Sequence, residues 1–429
     1  MNHDNYKVVD TLYKQSKNDV VAMFNYDAPN GLVICNKLMQ KIVALLDGNH
    51  AFNDIVKEIS VNPNILQKYI NILSDANLIK GLEKLDTNKS LCGWLLITDS
   101  CNFRCKYCFV SKNPSNMTLD IAIETIDKMI LCSKNKCYDN LFITFAGGEP
   151  LLNFDLIKKV VDHYKNIETP KLSYRIVTNG SLISKDIVNY IKENNIDITV
   201  SLDSVKKFND INRYYVDGRG TYEDVIKNIK LLKDNGIVPL INSVITGDNF
   251  RYLTKYVKNL IKLNVNFIFT IERAINDELP KIYNYKDEFI RELIKCINLV
   301  KKERKKGNNI TLEFNNLIFN NSSNNVCEAG SSLIAVNCNG DISCCGNNMR
   351  YPVSNIKDDY NFFAMFENSK FEIDNLLECG DCVWKKICHN GCPVSNFYLY
   401  GNYAKKSPCC EIYQKILPHV VDMYMTFKK

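Results

Sequence analysis

From residue 92 to residue 310 strand-like and helix-like segments alternate six times, and this regularity restricts the fold more than any other feature of the chain. Strand signals fall at residues 93–99, Leu141–Phe145, Ser173–Thr178, Asp197–Leu202, Val238–Ile245 and Phe267–Glu272. Helical periodicity fills the intervals, at Ile121–Cys132, Leu156–Tyr164, Asp186–Glu193, Tyr222–Asn235, Tyr252–Leu263 and Glu288–Lys306. Repeated strand–helix–strand units require a parallel α/β sheet. Periodicity alone leaves open whether that sheet is flat and doubly wound or curled into a partial barrel. In either case ligands bind at the loops that follow the strands.

The loop after the first strand, which holds Trp94-Leu95-Leu96-Ile97-Thr98, carries Cys101, Cys105 and Cys108 in the spacing C-x3-C-x2-C. Three thiolates can hold three irons of a [4Fe–4S] cubane, whose usual complement is four cysteines. No fourth cysteine is near, so one iron stays open to a chelating ligand; a zinc knuckle is the plainer alternative. This run, with Tyr107 before its third cysteine, resembles the radical S-adenosylmethionine (SAM) superfamily. The resemblance implies that the open iron binds SAM, that cluster and SAM together yield a 5′-deoxyadenosyl radical, and that the sheet is a partial (β/α)6 barrel.

Further segments resemble the SAM pocket of that family. Ala146-Gly147-Gly148-Glu149-Pro150 ends the second strand, where paired glycines let backbone approach a ligand. The resemblance implies that backbone oxygens here and the Glu149 carboxylate meet the SAM ammonium group. Asn179, after the third strand, and Ser201 and Asp203, after the fourth, resemble segments lining the ribose and methionine, with Asp203 ordering its loop. Arg213 and Arg219 both lie where the family places an arginine on the SAM carboxylate, for which a guanidinium fork is suited. Arg213 is the better candidate, because Arg219 sits in a glycine-flanked turn. Asn242 is a weaker candidate for the same pocket.

At 429 residues two or three domains are expected. The formal charge of +6 is mild, so nucleic acid is not the expected partner. The chain has no run apolar enough to span a bilayer and no signal-peptide core at its start, which predicts a cytoplasmic protein. Eighteen cysteines in such a chain point to metal ligation rather than disulfides, and to a reducing, anaerobic setting.

Residues 1–85 read as a separate winged-helix-like module. Strands at Val20–Phe24 and Gly31–Cys35 precede helices near Leu38–Leu46, Phe52–Ile59 and Pro63–Asp75, the last turning Ile65, Tyr69, Ile70 and Leu73 inward, and a final strand holds Leu78–Leu82. The stretch Asn36–Gly48 resembles a PqqD-like RiPP recognition element, which implies binding of a leader peptide as an added strand. A DNA-binding winged helix is the alternative, disfavoured by the weak basic character.

Residues 320–429, entered through an Asn/Ser-rich boundary, hold more than half of the cysteines. Cys327 is followed by Gly340 and then Cys345; Cys379, Cys382, Cys388 and Cys392 follow in the spacing C-x2-C-x5-C-x3-C, and Cys409-Cys410 ends the series. This resembles the SPASM domain, for which the alternative is a zinc ribbon. The resemblance implies two auxiliary [4Fe–4S] clusters, for three in all. Cys327, Cys345 and Cys392 would bind the first; Cys379, Cys382, Cys388 and Cys410 would bind the second, with Cys410 preferred to Cys409. Some relatives carry an additional cysteine where this chain has Asn321, so the first cluster either keeps an open iron or recruits Cys338 or Cys344. His389 is expected beside the ligands rather than among them. Cys132 and Cys137 are remote candidates for a thiol donor.

Together these resemblances imply an enzyme that modifies a ribosomally made precursor peptide carrying a leader, supplied with electrons by a ferredoxin or flavodoxin. The expected product is a thioether between a peptide cysteine and a carbon of another residue. Formylglycine generation on a sulfatase, carbon–carbon cross-linking and epimerisation are the alternatives. No residue stands out as the catalytic base.

Overall fold

The computed structural model describes residues 6–80, 90–135, 138–274, 278–319, 326–358 and 371–426. Gly81 and Leu82 of the expected closing strand, Cys137 and Asn321 lie outside the described residues.

The N-terminal module opens with β1 (Lys7–Val8), β2 (Leu12–Lys17), β3 (Val20–Asn25) and β4 (Val33–Cys35). Helices α1 (Lys37–Leu45), α2 (Phe52–Glu58) and α3 (Pro63–Asp75) follow, and β5 (Ile79–Lys80) closes it. Local chemistry sets these boundaries. The Asn36 side chain accepts from the Met39 amide to cap α1, and Asn62 caps α3 ahead of Pro63 in the first turn. Strands β2, β3 and β4 form an antiparallel sheet with β4 at one edge, while β1 pairs β5. Sequence reading missed β1 and β2, which are short or polar. It also turned Ile65 inward; Ile65 is exposed, and Leu66, Ile70 and Leu73 form the buried stripe of α3. These residues belong to a hydrophobic core of the module's own, distinct from the one that serves the rest of the chain.

The central region comprises β6 (Ser90–Thr98), α4 (Leu119–Asn135), β7 (Asn140–Gly147), α5 (Phe154–His163), β8 (Lys171–Thr178), α6 (Lys185–Glu193), β9 (Asp197–Ser201), α7 (Lys206–Asn212), α8 (Tyr222–Asp234), β10 (Leu240–Ile245), α9 (Leu253–Leu263), β11 (Asn266–Ile271) and α10 (Lys286–Lys305). Each of the six expected strands and six expected helices is present within a few residues of its expected ends. The six strands lie side by side in chain order, all parallel.

Side-chain alternation decides between flat and curled sheets. Leu95, Phe145, Ile176, Val200 and Ile241 point outward into the buried helix layer. Their neighbours Leu96, Ala146, Val177, Ser201 and Asn242 all line one cavity, with Thr270 of β11. Six consecutive strands can face a single cavity of about 340 Å³ only if the sheet curls around it.

Both edges of this sheet are covered, which leaves no long unpaired strand exposed. Strand β12 (Leu312–Phe314) adds in parallel to β11. At the other edge β13 (Leu333–Val336), from the cysteine-rich region, adds in parallel to β6, and β14 (Asp341–Ser343) and β15 (Ser354–Asn355) continue antiparallel. The C-terminal region therefore extends the central sheet to ten strands and shares its core. It ends in α11 (Lys385–Cys388), α12 (Pro393–Tyr400) and α13 (Cys410–Tyr424). The N-terminal sheet docks on it: Tyr13 packs on Trp384 with ring centroids 4.7 Å apart, and Lys17 pairs with Asp422 at 2.7 Å. Among the described residues no helix is long and apolar enough to cross a membrane.

Candidate functional site

The Cys101–Cys108 loop is pinned by backbone. The Arg104 amide donates to the Tyr214 carbonyl at 2.8 Å, Lys106 to Asn212 at 3.0 Å, and Val216 to Asn102 at 3.1 Å. Phe103, buried, anchors the loop edge-on against Tyr215, with centroids 4.9 Å apart. This leaves the Cys101, Cys105 and Cys108 side chains on the cavity wall. Burial pushes the Cys105 thiol up to about 11, with Arg213 opposing and the charges of Asp203, Cys108 and Cys101 adding. Ligation to iron supplies the positive charge that holds such thiols deprotonated.

The two glycines also line the cavity. Gly147 has φ +130°, a conformation side chains resist, and a Cβ on it would stand 2.3 Å from the Thr98 carbonyl oxygen. A Cβ on Gly148 would stand 2.2 Å from that of Ser100. The Gly148 and Glu149 amides donate to those same carbonyls, at 2.6 and 2.9 Å. The glycine turn thus lies flat against the start of the cysteine loop.

Glu149 has a different place from the one its motif implied. Its carboxylate is fully buried behind the cavity wall, where Oε1 accepts from Thr178 Oγ1 (2.6 Å) and the Leu151 amide (3.1 Å), and Oε2 from the Asn179 amide (2.7 Å). Burial raises its pKa, and these hydrogen bonds work against the rise. It ties the end of β7 to the end of β8 rather than presenting an oxygen to the cavity. Pro150 begins a buried 3₁₀ turn behind it.

Asn179 and Ser201 line the cavity, and Asn179 Nδ2 donates to Asn102 Oδ1 at 2.8 Å. Asp203, fully buried, accepts from the Tyr107 hydroxyl and, at 3.1 Å, from the Val244 amide. It therefore orders the cysteine loop as well as its own. Burial raises its pKa and Arg213 opposes the rise. Arg213 Nη1 donates to Tyr107 OH at 2.8 Å and lies 3.8 Å from Asp203 Oδ1, on the cavity wall. Arg219 is out on the surface, paired with Asp217 at 2.8 Å. Of the two arginines only Arg213 faces the cavity, as does Asn242.

The C-terminal cysteines sort into two groups. Cys327 has Cys345 and Cys392 as its thiol neighbours. Cys388, pushed up to about 12 by burial, has Cys379, Cys382 and Cys410. His389, Asn390 and Gly391 all take positive φ, which turns the chain sharply between Cys388 and Cys392. Asn390 then clasps the segment leading to Cys410: it donates to the Lys405 carbonyl and accepts from the Ser407 amide, both at 2.7 Å. Cys410 opens α13, whose N-terminus favours a thiolate. Cys409 points elsewhere, 2.9 Å from the Tyr283 hydroxyl. Cys344 hydrogen-bonds Cys345, whereas Cys338 donates to the Leu96 carbonyl at 3.2 Å, away from that group. Burial lowers the His389 pKa to about 4, so its ring is neutral. Cys132 is buried, away from any motif.

Among the described residues no three cysteine, histidine, aspartate or glutamate side chains close on one point as a single metal ion demands. A cubane holds each thiolate on a separate iron and suits wider-set groups such as these. Cys345 lines the same cavity as the Cys101 loop, so the two cysteine neighbourhoods face one chamber. Sequence reading missed Glu272 and Arg273, which follow β11 and line both this chamber and an adjoining cavity of about 320 Å³. Their signal was available: they stand at the C-terminal end of the sixth strand, where such sites occur. Burial raises Glu272 to about 7, with Asp248 adding.

A curled parallel sheet, three thiols on its first loop and a glycine turn packed on that loop together frame one chamber. The chain carries a radical SAM domain: residues 95–260 match the Radical SAM superfamily. The match to this superfamily implies a [4Fe–4S] cluster and SAM. The chain is 27% identical to the radical SAM cyclopropyl synthase TigE of Paramaledivibacter caminithermalis over 413 residues, 87% of this chain and 84% of that protein. The structure resembles anSMEcpe bound to AdoMet and the Cp18Cys peptide, with a TM-score of 0.66 and 19% identity over 78% of this chain and 98% of that one. It also resembles Streptococcus suis SuiB bound to its precursor peptide SuiA, with a TM-score of 0.55 and 18% identity over 94% of this chain and 98% of that one.

Proposed function

We propose that this protein is a cytoplasmic radical SAM/SPASM maturase that forms a thioether within a ribosomally made precursor peptide, between a cysteine sulfur and a carbon of another residue. The observation that carries this reading is the shared chamber, with Cys101, Cys105 and Cys108 on one wall and Cys345 on another. A peptide between them lies within reach of both centres. When bound, SAM and three [4Fe–4S] clusters supply the 5′-deoxyadenosyl radical and an outlet for the surplus electron, with a ferredoxin or flavodoxin as external donor.

The chain's own residues do the rest. Cys101, Cys105 and Cys108 hold the SAM-binding cluster. Gly147 and Gly148 let SAM lie close to backbone, Asn179 and Ser201 hold its polar groups, and Arg213 takes its carboxylate. Asp203 and Tyr107 fix that guanidinium, and Glu149 and Pro150 brace the wall. Cys327, Cys345 and Cys392 hold the first auxiliary cluster, with Cys344 the nearest candidate to complete it. Cys379, Cys382, Cys388 and Cys410 hold the second. Residues 1–85 bind the leader as an extra strand on the edge of β4, beside α3; residues 92–310 form the radical SAM core, and residues 320–429 the SPASM domain.

A second reading, carbon–carbon bond formation in the peptide, is favoured by the likeness to a cyclopropyl synthase. Mass spectrometry separates the two after anoxic incubation with a cysteine-containing precursor, followed by thiol alkylation. Thioether formation removes two hydrogens and one alkylatable thiol for each bridge. A loss of two hydrogens with every thiol still alkylated overturns the thioether in favour of the second reading. Loss of sulfur indicates formylglycine, and an unchanged mass indicates epimerisation.

A further inference from the structure

Arg273 lines the chamber, with Lys112 and Glu272, as a charged group that the proposed chemistry leaves unused. It follows β11 and is held from both sides. The preceding residue, Glu272, donates its amide to the Ile245 carbonyl of β10 at 2.9 Å; the following residue, Ala274, donates to Ser395 Oγ of α12 at 2.9 Å. The side chain therefore sits at the seam between barrel and cysteine-rich region. Its Nε is buried with no hydrogen-bond partner. Among the described residues, the ionisable groups that act most on its charge are Cys392, Cys345, Tyr413 and Cys327. A buried polar group without a partner is costly. Three of these four neighbours are the thiols assigned to the first auxiliary cluster.

We infer that Arg273 is the built-in countercharge of the first auxiliary cluster and holds its reduction potential up. The inference rests on the reading that Cys327, Cys345 and Cys392 ligate that cluster. Potentials of thiolate-held clusters follow net charge, hydrogen bonds to sulfur and burial. A guanidinium at this seam stabilises the more negative, reduced state by direct attraction. The second group has amines in place of a guanidinium: Lys385 and Lys406 act on Cys379, and Lys406, which is exposed, acts on Cys410. The countercharge thus distinguishes the two auxiliary centres and makes the one facing the chamber the easier to reduce. Arg273 acts through the cluster and is a positioning residue.

The test uses the full-length chain reconstituted anoxically in the Cys101→Ala, Cys105→Ala, Cys108→Ala background, so that only auxiliary clusters are observed. Iron is counted, and dithionite titration is followed by electron paramagnetic resonance for the parent, Arg273→Lys and Arg273→Met. The expected result is eight irons in all three proteins, as the two proposed clusters require, with one of two potentials lowered in Arg273→Met, lowered less in Arg273→Lys, and the other unmoved. Unchanged potentials at full iron content overturn the inference. Loss of iron from both variants also overturns it, since Arg273 is then needed for assembly and not for tuning. A parent that binds no auxiliary iron instead overturns the ligand assignment on which the inference rests.

Discussion

The two arginines of the chamber, Arg213 buried and Arg273 half-buried, make an instructive contrast. Arg213 is engaged within the barrel: Tyr107 accepts its hydrogen bond, and Asp203 balances its charge at 3.8 Å. Among the described residues, the groups that act most on Arg273 are three thiols and Tyr413 brought from another region. The Arg213 charge is thus balanced within the barrel as the chain folds. On the proposed reading, that of Arg273 is balanced by a bound cluster. The same contrast holds for the cysteines, one set on a single pinned loop and the other gathered from Cys327, Cys345 and Cys392 on separate segments.

Perturbations of the barrel end should be the most severe. Replacing Cys101, Cys105 and Cys108 together by alanine should reduce formation of 5′-deoxyadenosine from SAM to background under reductant, while circular dichroism stays native. Cys345→Ala should instead keep that cleavage and lose the modified peptide, which separates the two ends by product analysis. Gly148→Ala forces a Cβ onto the Ser100 carbonyl, at a cost of about 1–3 kcal/mol. It should weaken SAM binding by calorimetry accordingly. Arg213→Lys should weaken SAM binding by about tenfold, through loss of the planar fork. Arg219→Lys is the matched control and should change nothing measurable, because its pair with Asp217 is exposed.

The smallest expected effect is one of pH. The Glu272 pKa is about 7 when folded, above its ordinary value, because burial disfavours the charge. The unfolded chain therefore releases that proton first as pH rises, and stability falls from the ordinary carboxylate range up to about pH 7. Below that window both states keep the proton and the penalty vanishes. Glu272→Gln should flatten this part of the stability profile in denaturant titrations between pH 5 and 7.

Local signals carried most of what the sequence revealed. The six strands, six helices and the triad loop were legible because each is written in contiguous residues with a strong period or spacing. Glu149 was read as a ligand group from its motif, yet its burial against Thr178 and Asn179 depends on β8 lying beside β7. The pairing of β13 with β6 was invisible, since more than two hundred residues separate the partners and β13 has only four residues. Ile65 and Leu66 exchanged roles because adjacent positions on α3 differ by one step around the helix, and only the sheet beneath decides which is inward.

The sequence alone determined the parallel α/β class, the three-thiol loop and the glycine turn, because chain geometry limits what such spacings can build. Tertiary structure decided the curl of the sheet, the placing of Arg213 on the chamber and of Arg219 at the surface, the turning of Cys409 toward Tyr283, and the seat of Arg273 at the seam. Those outcomes depend on which distant surfaces meet, and burial energies and charge neighbours exist only once they have met.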